Sequence, residues 1–195
     1  YDTVCCNYCG YAALTKDFMN TTQVQRKLLR EKIQANYKSH EVVVCDAYST
    51  ETAISRLKMA LLCTVTKAGK ESEIGNICLK IDWLYQDLAD ELDENSSDYE
   101  SKKENYLAEA HNFAMNAYEH LSKARMEEAF PIAGMNETTL DYLLSYLGYV
   151  KGEYQTAMQY LSGVVSTRGI SPRLKDKCLE LKELLNQKLH ASADQ

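Results

Sequence analysis

The sequence predicts an all-α protein of about six antiparallel helices, with tetratricopeptide-like helical hairpins and a short N-terminal zinc-knuckle segment. Three observations lead to this fold class. The 195 residues include only 2 prolines and 8 glycines, and so few helix breakers favour long helices over a β fold with many turns. From residue 49 onward, apolar residues recur at spacings of three and four, as a half-buried helix requires. The third observation is one copy of a helical repeat.

The first fifteen residues are aromatic, small and cysteine-rich, and they have no helical period, which predicts a short hairpin or a knuckle. Within them, Cys6-Asn7-Tyr8-Cys9-Gly10 has the C-x-x-C-G spacing of a zinc knuckle. Cys6 and Cys9 are therefore candidate zinc ligands, although a structural zinc takes four ligands and a knuckle supplies two. A redox C-x-x-C is the alternative, but the thioredoxin-like βαβ pattern that would accompany it does not follow.

A basic helix and a connector are predicted over residues 16–48. Thr21 or Thr22 is a candidate N-cap for this helix. Residues 16–38 include six basic and two acidic residues, a net charge of about +4, so that about −10 remains for the rest of a chain whose total is −6. This segment is either a solvated helix face or a local docking site for an acidic partner. Its apolar stripe is weak and consists of Val24, Leu28 and Leu29.

Residues 49–195 are predicted to form a helical domain. Before it, the β-branched run "EVVVCDAY" predicts an extended connector or the lead-in to a helix. Amphipathic patterns then predict three helices at about 49–68, 71–92 and 99–128, and three further helices that carry 140–150, 154–164 and 174–189. Asn136 is the candidate N-cap of the fourth of these helices, and Ser171 is that of the last, with Pro172 at its first position. Gly69 is expected to end the first of these helices. That helix is expected to bury Ile54, Leu57, Leu61, Val65 and Ala68.

The segment "LLSYLGYVKGEYQTAMQYLSGVV" has the spacings of a tetratricopeptide repeat. The residues that match the repeat are Leu144, Gly152, Tyr154, Ala157 and Leu161. Gly152 would make the tight turn between two helices, the small Ala157 would let them approach closely, and Leu161 would fill the gap one turn on. The final helix would then cap the array, as a solenoid requires.

Two stretches of the chain resemble the bacterial family known as domain of unknown function 2225. They are "VCCNYCGYAA" near the start and "FPIAGMNETTLDYLLSYLGYVKGEYQTAMQYLSGVVSTRGISPRLKD" near the end, and the resemblance covers most of the chain. It implies a zinc ribbon followed by a tetratricopeptide-like helical region, with no established activity. In the family, a first C-x-x-C stands upstream of the knuckle matched by Cys6 and Cys9. The resemblance therefore implies that residues 1–15 are the second half of a zinc ribbon and that zinc is absent or incompletely ligated in this chain.

The charge and hydropathy of the sequence disfavour some classes of function. The net charge of −6 and a pI near 5.3 disfavour a general nucleic-acid binder, which is usually basic. The sequence has no apolar run of about 18 residues and no signal-peptide pattern, so we expect no membrane span and a cytoplasmic location. Of the seven cysteines, Cys63, Cys78 and Cys178 lie on or near apolar helix faces, which is typical of reduced, buried thiols.

The remaining polar residues do not converge on a catalytic pattern. His111 and His120 are nine residues apart and lie on different helix faces, so they cannot form an i, i+4 metal pair. Asp87 and Glu91 share a face, for which a solvated surface is favoured over a catalytic pair. No Ser-His-Asp order, glycine-rich phosphate loop or calcium-loop pattern is present. An enzyme is therefore the least favoured function.

Tyrosines are the last candidates for a binding surface. Tyr142, Tyr146 and Tyr149 share one face of the first repeat helix. They either pad the packing between helices or line a groove that grips a peptide. The sequence thus predicts a non-enzymatic, cytoplasmic scaffold that binds a protein or peptide and has a structural zinc site. The alternative is a nucleic-acid-associated zinc-ribbon protein, because the basic segment adjoins the knuckle.

Overall fold

The computed structural model describes residues 2–39 and 48–193, and over these ranges the protein is mostly helical. This confirms the all-α fold class. The predicted connector at 41–47, with Cys45, lies outside the described residues, as does His40. The elements are β1 (Thr3–Cys5), β2 (Ala12–Leu14), α1 (Gln23–Lys32), a 3-10 helix (Gln34–Asn36), α2 (Thr50–Thr66), α3 (Glu71–Asp90), α4 (Tyr99–Glu127), α5 (Glu137–Lys151), α6 (Tyr154–Ser166) and α7 (Pro172–Ala193).

The chain divides into two compact units, Tyr1–Ala117 and Tyr118–Gln195, with the boundary inside α4. The N-terminal hairpin therefore belongs to the same unit as α1, α2 and α3. The division of the sequence into segments 1–15, 16–48 and 49–195 stays a prediction. In the described part of the chain, no helix combines the length and the apolar content that a membrane crossing needs.

The first unit begins with the predicted hairpin, in which β1 and β2 are antiparallel. Its turn is closed by the Cys6 N–H, which donates to the Tyr11 carbonyl at 2.8 Å, and by the Gly10 N–H, which donates to the Cys6 carbonyl at 2.9 Å. Gly10 has a φ of +73°, a left-handed conformation that favours glycine. All three residues of β2 are buried, and the strand packs against α2.

Helix α1 begins with a capping box. Thr22 Oγ1 accepts the Gln25 N–H, and Gln25 Oε1 accepts the Thr22 N–H, which satisfies two otherwise unpaired donors. The predicted cap at Thr22 is thus confirmed. The predicted apolar stripe is wrong at Val24, which is 71% exposed. The helix instead buries Leu29 and, at its C-cap, Ile33, because these two residues are four apart on the face that meets the core.

The core of the first unit is formed by the hairpin and helices α1, α2 and α3. The predicted apolar faces of α2 and α3 supply most of it. The buried members are Ala12, Leu14, Leu29, Ile33, Ile54, Leu57, Ala60, Cys63, Ile77, Ile81 and Leu88.

The predicted face of α2 is wrong near its C-terminus. Val65 is 56% exposed, whereas Thr64 and Lys67 are buried. The buried face of α2 therefore continues through polar residues. Lys67 can be buried there because its ammonium group lies 3.1 Å from the Glu73 carboxylate at the start of α3. A paired charge can be buried where an unpaired one cannot, and hydrophobic pattern alone does not reveal the pair.

The end of α2 also differs from the prediction. The left-handed residue is Ala68, with a φ of +50°, and not Gly69. Gly69 is required for space instead: a Cβ at this position would lie 2.7 Å from Thr64 Cγ2 and 2.8 Å from a carboxylate oxygen of Glu73. The glycine therefore permits the close packing of the α2–α3 turn.

In the second unit, the predicted helix boundaries at α5 and α7 are confirmed. The Asn136 side chain accepts a backbone N–H in the first turn of α5. That helix ends at Gly152, whose φ of +87° is left-handed. The Ser171 hydroxyl accepts a backbone N–H in the first turn of α7, and Pro172 occupies the first helical position, where proline is preferred.

Helices α5 and α6 approach closely in the second unit. A Cβ on Gly148 would lie 3.2 Å from the Cβ of Ala157, and the Ser145 hydroxyl donates to the Ala157 carbonyl at 2.8 Å. Ala157 thus stands at the close contact, as expected of the small residue in the repeat. The tetratricopeptide-like arrangement as a whole stays a prediction. The core of α6 and α7 consists of Ala157, Leu161, Val164, Cys178, Leu181 and Leu185.

Candidate functional site

The two candidate zinc ligands lie at the turn of the N-terminal hairpin. Cys6 and Cys9 are half-buried free thiols. The backbone N–H groups of Tyr8 and Cys9 donate to the Cys6 sulfur, and the N–H of Tyr11 donates to the Cys9 sulfur. The two thiols also hydrogen-bond to each other. The hairpin thus brings two sulfurs together and directs backbone donors at both, an arrangement that stabilises thiolates.

The electrostatic surroundings distinguish the two thiols. Hydrogen bonds from the Tyr8 and Cys9 backbone lower the pKa of Cys6. Burial raises the pKa of Cys9, and burial also raises that of Cys5, an effect that the nearby Arg56 partly offsets. Cys6 is therefore the thiol most readily ionised in this cluster, and thiolate is the form that binds metal.

Cys63 of α2 hydrogen-bonds to the backbone of the hairpin. Its sulfur accepts the Ala12 N–H at 3.4 Å and donates to the Gly10 carbonyl at 3.6 Å. Cys63 is fully buried, and so are Cys78 and Cys178, which confirms that these thiols are buried. In the described part of the chain, no group of three or more His, Cys, Asp or Glu side chains is arranged to hold a metal ion.

A cleft of about 350 Å³ opens between the hairpin and α1. We call it the hairpin–α1 cleft. Its lining combines apolar and basic side chains. It is lined by Cys9, Tyr11, Thr21, Arg26, Leu29, Arg30, Ile33 and Gln34.

The basic side of the cleft consists of two exposed arginines. Arg26 and Arg30 are four residues apart on α1, and within the described ranges neither side chain has an ion-pair or hydrogen-bond partner. By contrast, Lys27 of the same helix lies 3.8 Å from the Glu31 carboxylate. The charge composition of the sequence predicts the basic segment. The cleft beside it was not predicted, because it depends on how the hairpin packs against α1.

The three candidate tyrosines do not form one exposed face. Tyr142 and Tyr149 are half-buried and pack against the core of α6 and α7. The ring of Tyr149 lies 6.0 Å from that of Tyr154, measured between centroids. Tyr146 is 40% exposed. A partner in contact with this helix would therefore meet Tyr146 first, while the other two contribute to packing.

Outside the hairpin, the titratable groups include two exposed histidines and one buried carboxylate. His111 and His190 are exposed. Asp82 on α3 is only 2% exposed and accepts a 2.6 Å hydrogen bond from Gln86 Nε2. Burial raises the pKa of Asp82 to about 6, against the smaller opposing effects of Gln86 and His111. The sequence pattern did not single out Asp82, because an aspartate between apolar residues of a helix resembles a solvated position.

The model of one protein family matches residues 1–185 of the chain. The family is described as an uncharacterized protein conserved in bacteria, DUF2225. No curated protein and no solved structure matches the chain.

Proposed function

This chain belongs to the DUF2225 family, and we propose that it is a non-enzymatic, cytoplasmic binding protein. In this proposal a structural zinc site anchors the N-terminal hairpin, and the surface of the protein binds another protein or a peptide. The observation that carries the proposal is the hairpin turn, in which backbone N–H groups donate to the sulfurs of both Cys6 and Cys9.

Zinc fits the donor set of this hairpin. Thiolates are preferred ligands of structural zinc, which takes four ligands in a closed tetrahedral site. Cys6 and Cys9 would hold one half of the coordination sphere, and ligands from outside this chain would complete it. The ion would supply cross-linking rather than chemistry, because a closed structural site leaves no position for a substrate.

Two further observations support a binding role. The close contact of Gly148 with Ala157 supports tetratricopeptide-like packing of α5 on α6, and such repeats expose surfaces that bind partners. In the first unit, Arg26 and Arg30 present positive charge beside the hairpin, and neither has a carboxylate partner among the described residues.

The same arginines favour a second candidate, a nucleic-acid-associated protein, because phosphate contacts are made by such side chains. The net charge of −6 opposes this candidate. A nucleic-acid-associated protein should bind a labelled oligonucleotide, and the binding should weaken steeply with added salt. An absence of binding at low salt would eliminate this candidate.

Metal analysis tests the zinc half of the proposal. Purified residues 1–195 should contain little zinc, and a longer form with an upstream C-x-x-C should contain about one zinc per chain. In the longer form, Cys6→Ser and Cys9→Ser should lose the metal, while Cys78→Ser should retain it. One zinc per chain in residues 1–195 would contradict the half-site and would implicate Cys5 or Cys45.

Affinity capture tests the binding half. The zinc-loaded longer form, immobilised and exposed to a bacterial lysate, should retain a defined protein in stoichiometric amount. Turnover of a metabolite mixture by the purified protein, with no retained protein, would contradict a non-enzymatic binding role.

A further inference from the structure

We infer that the hairpin–α1 cleft binds an acidic peptide segment that carries at least one apolar side chain. This inference rests on the proposed function and names the class of its partner. It follows from the two stripes of α1 that border the cleft, from the positive charge of one stripe, and from the volume of the cleft and the depression that adjoins it.

The two stripes of α1 give the cleft its mixed character. Leu29 and Ile33 are four apart and form its apolar floor, and Tyr11 of the hairpin completes that floor. Arg26 and Arg30, also four apart, form the adjacent wall. Residues four apart on a helix lie on one face. The apolar stripe and the basic stripe therefore run side by side along α1.

The charge of the wall is available to a ligand. Neither guanidinium has a carboxylate partner among the described residues, and both side chains are exposed. A guanidinium binds a carboxylate through two parallel N–H donors. Residues 16–38 carry about +4 in a chain with a total of −6, so the positive charge of this segment favours an acidic ligand.

The dimensions favour a peptide. At about 350 Å³, the cleft is at the lower end of the range of small-ligand pockets, about 300–1,000 Å³, and both arginines are among its lining residues. The surface continues beyond them as a second, shallower depression of about 610 Å³ that shares both arginines. An extended peptide can place an apolar side chain in the cleft and its carboxylates along the arginine row.

Fluorescence polarisation with two synthetic peptides tests the inference. The first is a fluorescein-labelled octapeptide of alternating glutamate and leucine, and the second has serine in place of leucine. The protein should bind the first at least tenfold more tightly than the second, because only leucine fills the apolar floor. The double variant Arg26→Glu, Arg30→Glu should bind the first peptide at least tenfold more weakly than the parent, because both attractions become repulsions.

The matched control is the double variant Lys16→Glu, Lys32→Glu. It makes the same change in net charge at two exposed residues that do not line the cleft, and it should bind the first peptide within about twofold of the parent. Far-UV circular dichroism checks that both double variants keep their helices. Equal weakening by the two double variants, or no peptide binding at low salt, would overturn the inference.

Two further outcomes separate the inference from the proposed function. A captured partner that the Arg26→Glu, Arg30→Glu variant retains in full would eliminate the cleft as its site and leave the binding role standing. Tighter binding of a labelled oligo-dT than of the glutamate–leucine peptide at equal salt would overturn the inference in favour of nucleic acid. Loss of both the peptide and the partner on charge reversal is the result we expect.

Discussion

The ammonium group of Lys67 lies 3.1 Å from the carboxylate of Glu73, although the Lys67 side chain is only 3% exposed. The pair joins the end of α2 to the first turn of α3 across Gly69. A buried charge without its partner is costly, commonly by about 3–5 kcal/mol, whereas an exposed pair contributes about 0–1 kcal/mol.

Glu73→Gln should therefore destabilise the protein by about 3 kcal/mol, because it leaves Lys67 buried without a carboxylate. Glu31→Gln, which breaks the exposed pair with Lys27, should change the stability by less than about 1 kcal/mol. Urea unfolding measures both. The double variant Lys67→Met, Glu73→Gln should lose less than the sum of the single changes, and strict additivity would contradict a coupled pair.

Gly148→Val should destabilise the second unit by about 1–3 kcal/mol, because the contact with Ala157 at 3.2 Å leaves no room for a larger side chain. Gly163 is a matched control, since it is also helical and has no atom within 4 Å of an added Cβ. Gly163→Val should leave the midpoint of thermal unfolding unchanged or slightly raised. Equal effects of the two substitutions would contradict close packing of α5 on α6.

Gly10→Ala should destabilise the hairpin more than Gly152→Ala destabilises the α5–α6 turn. Both glycines have left-handed φ values, which cost about 1 kcal/mol or more for alanine. At Gly10, however, an added Cβ would also lie 2.5 Å from the ring of Tyr37, whereas at Gly152 the nearest atom is 4.0 Å away. Hydrogen exchange of the hairpin amides measures the first effect, and thermal unfolding compares the two variants.

Asp82→Asn should stabilise the protein at pH 8 and about half as much at pH 5. Burial raises the pKa of Asp82 in the folded protein to about 6, from an ordinary value of 3.8. The folded state thus binds this proton more tightly than the unfolded chain. The stabilisation from protonated Asp82 is complete below pH 3.8 and is lost as the pH rises through about 6.

The asparagine variant avoids that loss, which amounts to up to about 3 kcal/mol at pH 8, and its oxygen can still accept the hydrogen bond from Gln86. Urea unfolding of both proteins at the two pH values gives the comparison. Asp87→Asn, at an exposed position of the same helix, is the control for replacing an aspartate of α3 by asparagine. A stability difference for Asp82→Asn that does not change with pH would exclude titration of this carboxyl group.

Local features explain which predictions from the sequence were confirmed. The caps at Thr22, Asn136 and Ser171 depend on side chains and backbone groups within one turn of each other, so the residue order alone reveals them. The left-handed turn at Gly152 is likewise local. Apolar spacing located most of the faces of α3, α6 and α7, because the helix period is a property of the chain and not of its partners.

The sequence by itself determined the helical fold class, most helix boundaries, the hairpin with Cys6 and Cys9, and the position of the basic segment. Only the tertiary structure decided that Cys63 holds the hairpin backbone from 53 residues away, that Lys67 rather than Val65 is buried, and that Arg26 and Arg30 border a cleft. The physical reason is the distance along the chain. Such contacts depend on which element packs opposite, and the spacing of residues within one helix carries no information about its partner.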